Sequence, residues 1–227
     1  MVPHPARALL ATAALSAAFH APATAAPREW TLDLGHAHVG WEIDHMLLAR
    51  TRGEFTEYDG TFLIDEEDLS GSSVTFSIDA ASIHSNHVGR DNHVRAADYL
   101  DVERHPTIDF ASTSIELLTP TSGKMRGELT LRGVTAPITL DFELAEATTY
   151  PAFIPDYDEV PVMSFQATGE ILRLDHGMDF IAFLGSPTGL SVDLDLRVDL
   201  VDCSDVPETN IPCHWGRVEG FVGPSES

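Results

Sequence analysis

The feature that most constrains the fold is a strict alternation of apolar and polar residues late in the chain. From Leu190 to Leu200 every second residue is apolar, and the residues between them are polar or charged. Successive side chains of a β-strand point to opposite faces, so this pattern predicts a strand with one buried and one solvated face. One-sided burial is typical of antiparallel sheets, because parallel sheets are covered on both faces.

The same alternation recurs along the chain and predicts eight or nine strands. They lie near residues 30–34, 38–46, 52–64, 73–80, 107–117, 124–132, 137–147, 161–174 and 189–201. The stretch from Ser82 to Asp101 does not alternate, and it predicts one or two short helices, capped by Asp91 or a nearby polar residue. The acidic, proline-rich stretch 148–161 is interpreted as an excursion between two strands.

The N-terminal segment predicts export. Arg7 precedes an apolar run from Ala8 to Phe19, and small residues follow at Ala23 to Ala25. The run is shorter than the roughly 20 apolar residues that a membrane span needs, and its parts are those of a secretory signal peptide. We expect cleavage after Ala25 and a periplasmic or secreted mature protein. The expected organisation is a signal peptide (1–25), one β-domain (26–202) and a C-terminal tail (203–227).

Many similar strands with few helices leave two architectures, a β-sandwich and a closed β-barrel. A barrel has no unpaired strand edge, which a long exported β-protein must otherwise protect, so the barrel is the architecture we expect. With about eight strands, its interior is either filled by side chains or wide enough for one small ligand. Alternation alone does not separate these two fillings.

The charge balance excludes several classes of partner. The chain has 13 Lys and Arg residues against 36 Asp and Glu residues, a net charge of −23. Such a surface repels phosphate backbones, so we expect no nucleic-acid partner, and it also opposes docking on anionic membranes. No later segment resembles a membrane span, so stable membrane insertion is not expected. A homodimer is compatible with these features.

Two cysteines, Cys203 and Cys213, lie beyond the last predicted strand. An even number of cysteines in an exported chain favours a disulfide. A redox pair would instead show a C-x-x-C spacing at a helix start, which is absent here. We therefore predict a structural disulfide that holds the tail.

Four blocks of residues, in order, carry a resemblance to a known family. The first block is Asp33–Trp41 with His45 and Arg52–Phe55, the second is Asp91–Val94 with Asp98–Asp101 and His105–Phe110, the third is Gly127–Thr135, and the last is Phe165–Ala167 with Arg173–Gly177. The chain resembles the YceI-like family of bacterial periplasmic polyisoprenoid-binding and lipid-binding proteins from about Trp30 to Val201. It departs from the family pattern at Ala37, where Ser is common, and at His176, where Phe is common.

The resemblance implies a lipocalin-like antiparallel β-barrel with an apolar channel for a polyisoprenoid, an isoprenoid quinone or a fatty-acid-like lipid, and no cofactor besides that lipid. Alternation predicts which residues line the channel: Val39, Trp41, Ile43, His45, Phe76, Ile78, Phe110, Leu129, Leu131 and Phe142. His45 and Arg52 are the candidates for contacting the ligand's head group. The alternatives are a core histidine bonded to backbone and an arginine that faces solvent.

Two other functions remain as alternatives, a metal-binding protein and a hydrolase or isomerase that uses a His- and Asp-rich interior. His36, His38 and His45 invite a metal site, to which residues such as His84 or His93 could add ligands. Alternation opposes this site, because residues 36 and 38 share one face of a regular strand and residue 45 lies on the other. Neither a G-x-S-x-G nor an H-E-x-x-H motif is present. We therefore predict a carrier, with no catalytic residues and no metal ligands.

Overall fold

The structure is a computed structural model that describes residues 26–46, 48–151, 153, 160–178, 188–204 and 213. Its strands are β1 (Arg28–His45), β2 (Ala49–Phe55), β3 (Tyr58–Ile64), β4 (Ser73–Asp79), β5 (Ile83–His84), β6 (Thr107–Leu117), β7 (Ser122–Leu131), β8 (Val134–Leu144), β9 (Thr148–Thr149), β10 (Pro161–Leu172) and β11 (Ser191–Val201). The described ranges contain one α-helix, α1 (Val88–Arg95), and short 3-10 turns at Leu69–Gly71, Ala80–Ser82 and Arg173–His176. The predicted signal peptide lies outside the described residues.

Eight antiparallel strands close into a barrel in the order β1, β3, β4, β6, β7, β8, β10 and β11. The barrel closes where β11 pairs with β1, with Val39 opposite Leu196 and Thr31 opposite Val201. The predicted antiparallel barrel of about eight strands is thereby confirmed. No helix in the described part of the chain is long and apolar enough to cross a membrane.

Strand β1 differs from its prediction because it contains a bulge. Its register against β11 shifts between Asp33 and Ala37, so the apolar positions change from even numbers, such as Leu32, to odd numbers, such as Val39. This change of phase made one strand look like two in the sequence. The predicted strand 52–64 is in turn two strands, β2 and β3, which pair with the second and first parts of β1.

The barrel is filled with side chains at one end. Trp30, Phe62 and Phe165 are buried there, and the rings of Phe62 and Phe165 meet edge-on with centroids 5.6 Å apart. Phe142 stacks on Phe165 at 6.1 Å, and a cavity beside these two rings measures about 10 Å³. Leu200 of β11 is buried at the same end. We call this the filled end.

Helix α1 lies at the opposite end of the barrel, which we call the mouth. The helix begins after His87, whose Nδ1 accepts a hydrogen bond from the backbone N–H of Arg90 at 3.1 Å. It thus starts earlier than the sequence predicted, and Asp91 lies within it, buried, where it accepts a hydrogen bond from Ser85. The chain then returns to the barrel at Leu100, which is also buried.

The predicted disulfide between Cys203 and Cys213 is confirmed. Cys213 is buried in a small second apolar cluster with Val160, Val162 and Val201. Since Val162 and Val201 face each other across β10 and β11, the disulfide attaches the beginning of the tail to the filled end of the barrel.

Candidate functional site

The barrel encloses a cavity of about 130 Å³ between the filled end and the mouth, which we call the deep cavity. Its walls are apolar side chains from all eight barrel strands, together with Gly40, Phe55 of β2 and Leu100. They converge because every second residue of each strand faces the interior. The residues predicted to line a channel that do line this cavity are Val39, Phe76, Ile78, Phe110, Leu129 and Leu131.

A second cavity, of about 480 Å³, occupies the mouth, and we call it the mouth cavity. It is lined by Trp41, Ile43, His45, Thr51, Phe55, Ile83, Arg90, His93, Val94, Tyr99, Leu100, Leu131, Ile171, Arg173, Met178, Thr188 and Val192. Phe55, Leu100, Leu131 and Ile171 line both cavities. The two cavities are therefore adjacent, and the mouth cavity adds polar side chains to an otherwise apolar lining.

Arg173 is the most buried charged group of the mouth cavity, with 4% of its surface exposed. It follows directly after β10, and its Nη1 donates hydrogen bonds to Thr188 Oγ1 at 2.9 Å and to the backbone oxygen of Gly189 at 2.7 Å. Its guanidinium carbon lies 5.5 Å from the centre of the Tyr99 ring. Burial lowers the pKa of Arg173, and the contact with Tyr99 partly offsets this effect.

Helix α1 contributes a second arginine and a histidine to the mouth cavity. Arg90 donates from Nε to Ser85 Oγ at 2.7 Å, and its terminal nitrogen donates to the backbone oxygen of Ser85. The ring of His93 meets the ring of Tyr99 edge-on, with centroids 4.8 Å apart. Tyr99 therefore lies between His93 and Arg173, and these contacts join the helix to the end of β10.

The YceI-like domain family matches residues 30–200 of this chain. That span contains every residue that lines either cavity. The chain belongs to the YceI-like family. Its cavities are thus features of a YceI-like barrel, and the resemblance noted from the four sequence blocks is confirmed.

Named relatives of this YceI-like chain are UPF0312 proteins. One from Pseudomonas putida is 38% identical over 104 residues, which cover 46% of this chain and 54% of the relative. Another, from Vibrio cholerae, is 33% identical over 141 residues, which cover 60% of this chain and 74% of the relative. The match spans about half the length of the Pseudomonas putida relative.

Three solved structures share the fold. BcnA of Burkholderia cenocepacia superposes with a TM-score of 0.62 at 18% identity, covering 74% of this chain and 98% of that chain. The YCEI protein of Campylobacter jejuni gives 0.60 at 23% identity, covering 70% and 88%. A polyisoprenoid binding domain from Saccharophagus degradans gives 0.54 at 12% identity, covering 78% and 99%. At these identities the likeness shows a common fold.

The structure places most of the predicted channel residues at a cavity wall, and their role in binding stays a prediction. Trp41, Ile43 and His45 line the mouth cavity, as the alternation of β1 indicated. Phe142 does not line the deep or the mouth cavity, because it is packed against Phe165 in the filled end. His45 reaches the mouth and pairs there with Thr188, so its predicted contact with a head group is compatible with its position.

The prediction that Arg52 contacts a ligand's head group is wrong, because its side chain points outwards into solvent. Its side chain is 79% exposed, and its Nε lies 3.2 Å from Glu42 Oε1. Glu42 and Arg52 are directly opposite each other on β1 and β2, and residues opposite each other in a sheet share a face. Since Glu42 alternates with the inward Trp41 and Ile43, Arg52 must face solvent.

His36, His38 and His45, the three histidines that suggested a metal site, lie apart. Of the histidines that could add ligands, His84 lies near His38, with its Nδ1 3.8 Å from Glu54 Oε1. His36 is in the β1 bulge, where its Nδ1 lies 2.8 Å from the buried carboxylate of Asp33, whereas His38 bonds to Glu54 at 3.1 Å on the outer face. His45 lies in the mouth. The described ranges contain no group of three residues suited to hold a metal ion. The hydrogen bond that the His36 ring donates to the Asp33 carboxylate raises the pKa of His36.

The acidic excursion begins at the filled end. Its strand β9 pairs with the start of β10, and the hydroxyl of Tyr150 donates to Asp33 at 3.1 Å. Residues 152 and 154–159 lie outside the description. The described residues of this excursion do not line the mouth cavity.

Sequence reasoning missed the polar residues Arg90, His93, Tyr99 and Arg173. All four belong to the mouth cavity. Arg173 lies at the end of the predicted strand 161–174, on the same face as Phe165, Ala167 and Ile171, and the other three lie in a stretch that does not alternate. The available signal was their position: Arg173 stands where the alternation of β10 ends, and the other three lie in the irregular stretch between β5 and β6.

Proposed function

We propose that this chain is an exported carrier that holds an apolar chain molecule, such as a polyisoprenoid, an isoprenoid quinone or a fatty-acid-like lipid, inside its barrel. The observation that carries the proposal is the deep cavity, whose described wall is apolar and which adjoins a larger mouth cavity that is lined by both apolar and polar side chains. A small apolar cavity of this kind does not retain water. An apolar ligand that fills it restores the dispersion contacts that the wall otherwise lacks.

The energy of such binding follows from buried area. Burying about 300 Å² of a prenyl or fatty chain is worth about 7.5 kcal/mol at 25 cal/mol per Å², before entropy costs. Contacts in the mouth cavity add to this gain, and a net 8 kcal/mol corresponds to a Kd of about 1 μM. Apolar burial therefore supplies most of the affinity, and the mouth sets the orientation of the ligand.

Binding rather than catalysis fits the chemistry of the deep cavity. The described residues of its wall include no acid, base or nucleophile, so the part of a ligand held against them meets no reactive group. The fold is shared with a polyisoprenoid binding domain from Saccharophagus degradans, which supports a ligand of that class. The disulfide together with the segment 1–25 supports a location in an oxidising compartment outside the cytoplasm.

Native mass spectrometry of the protein from its own host tests this function. We expect a bound mass that organic extraction identifies as a lipid, and we expect the protein to begin at Ala26. The variant Ala167→Phe adds a ring in the deep cavity, where Ala167 is buried, so it should remove the bound mass. Thr168→Phe is the matched control, because Thr168 is the next residue of β10 and faces solvent. Protein without bound lipid, or Ala167→Phe protein with its full complement, would contradict the carrier.

A further inference from the structure

The charges in the mouth cavity have the opposite sign to the rest of the molecule. The chain carries a net charge of −23, yet the cavity lining includes two arginines and two histidines and no Asp or Glu among the residues described. Acidic side chains are therefore absent from the described lining of the mouth although they outnumber basic ones almost threefold in the chain. A lining of this composition attracts a negative group at short range.

Among the described residues no carboxylate balances the charge of Arg173. Its hydrogen bonds go to the neutral oxygens of Thr188 and Gly189, and its other neighbour is Tyr99. No carboxylate in the described ranges forms an ion pair with Arg173 or Arg90, whereas Arg28, Arg50 and others do form such pairs. A buried charge without a partner is costly. An anion in the mouth cavity would lower that cost.

We infer that the mouth cavity is a binding site for an anionic head group, a carboxylate or a phosphate, and that Arg173 and Arg90 hold it while the attached apolar chain lies in the deep cavity. The site thus deepens the proposed carrier function and rests on it. Guanidinium groups suit this task because their planar set of N–H donors matches the oxygens of carboxylate and phosphate groups. A neutral head group, such as a hydroxyl, can accept the same hydrogen bonds but gains no charge pairing.

Three ligands that share one alkyl chain and differ in head group test the preference of the site for an anion. They are dodecanoate, dodecyl phosphate and dodecanol. Each displaces an uncharged fluorescent probe, N-phenyl-1-naphthylamine, from the delipidated full-length mature protein at pH 8, where the carboxylate is ionised. We expect the two anions to bind about 10- to 100-fold more tightly than the alcohol, the range for charge-assisted hydrogen bonds. Selectivity for only one of the anions would show whether the site prefers a carboxylate or a phosphate head group.

Substitutions of Arg173 and Arg90 test whether these two residues cause the preference for anionic ligands. Arg173→Gln and Arg90→Gln should each lower anion affinity about tenfold or more, with little change for dodecanol. Arg173→Lys and Arg90→Lys keep the charge and should retain most of the preference. Arg52→Gln is the matched control because Arg52 faces solvent, and its affinities should equal those of the parent.

The outcomes separate this inference from the carrier proposal. If all three ligands bind equally well, or if the Gln variants weaken the alcohol as much as the anions, the anionic site is refuted and the carrier stands. If none of the ligands binds, both proposals fail. Unchanged alcohol affinity in Arg173→Gln shows that this variant is folded, so loss of anion preference cannot be attributed to unfolding.

Discussion

The glycine at position 53 allows a direct test of how the mouth is built. Gly53 lies on β2 opposite Trp41 of β1. A Cβ added at Gly53 would stand 2.3 Å from Cζ2 of Trp41 and 2.6 Å from the backbone oxygen of His84. Non-bonded carbon atoms normally approach to about 3.5–4.0 Å. The indole ring and the short strand β5 would therefore both have to shift to admit one methyl group.

We expect Gly53→Ala to lower the free energy of unfolding by about 1–3 kcal/mol, the usual cost of overpacking. For a domain of this size each kcal/mol lowers Tm by about 2–4 °C, so thermal unfolding followed by circular dichroism should shift down by about 2–12 °C. Gly71→Ala is the control. An added Cβ there is nearest to a carboxylate oxygen of Asp65, at 3.1 Å, which can rotate away, so we expect a change within about 0.5 kcal/mol.

The double variant Trp41→Ala/Gly53→Ala separates the two close contacts. Removing the indole relieves the first contact and leaves the contact with the carbonyl of His84. The cost of Gly53→Ala should therefore be smaller in the Trp41→Ala background, with a coupling of about 0.5–2 kcal/mol. Strictly additive effects, or a Gly53→Ala protein as stable as the parent, would refute the packing of Trp41 on Gly53.

Four further changes have defined outcomes. Trp41→Ala should reduce the lipid that co-purifies with the protein, measured by extraction and mass spectrometry. Retention of the parent's lipid by Trp41→Ala would contradict a channel at this wall. His45→Ala should change the head-group preference and leave Tm unaltered. Replacing Cys203 and Cys213 by Ser should lower the free energy of denaturant unfolding by about 2–3 kcal/mol on the chain-entropy estimate for a short loop. The carboxylate partner of His36 raises its pKa, so its stabilising effect is present below the unfolded pKa and declines as pH rises through the folded pKa. His36→Ala should thus cost more at pH 5.5 than at pH 9, by less than about 1 kcal/mol because the side chain is half exposed; equal costs at both pH values would contradict this.

The barrel was predictable because alternation records burial one residue at a time. In β11 the inward positions Leu194, Leu196 and Val198 follow from the alternation without any knowledge of the neighbouring strands. Leu190, which the alternation also marks as buried, lies before the strand and is 42% exposed. The bulge in β1 was not predictable in this way, since the apolar phase changes between Leu32 and Val39 and a change of phase looks like a strand boundary. The expectation of a ligand channel came from the family resemblance, because alternation did not distinguish a filled interior from one with room for a ligand.

The polar part of the site could not be derived, because it depends on register and on irregular segments. Arg52 faces outwards only because β2 pairs with β1 so that Glu42 stands opposite, and register between strands is not visible in either strand alone. Arg90 and Arg173 reach one cavity from segments far apart in sequence. Their meeting is a property of the closed barrel rather than of either segment.

The barrel is closed at its filled end, which we call the floor. The depth of the interior above this floor limits the length of a straight chain that it can hold. From the floor at Phe165 to Ile171 at the mouth, β10 advances six residues, which at about 3.3 Å each and a tilt of about 40° gives a depth of about 15 Å. If the protein is the carrier we propose, a chain of that length would fit straight, and a longer chain would have to bend or extend into the mouth. Size selection by this protein would then depend on its aromatic floor, and Phe165→Ala would let longer chains in.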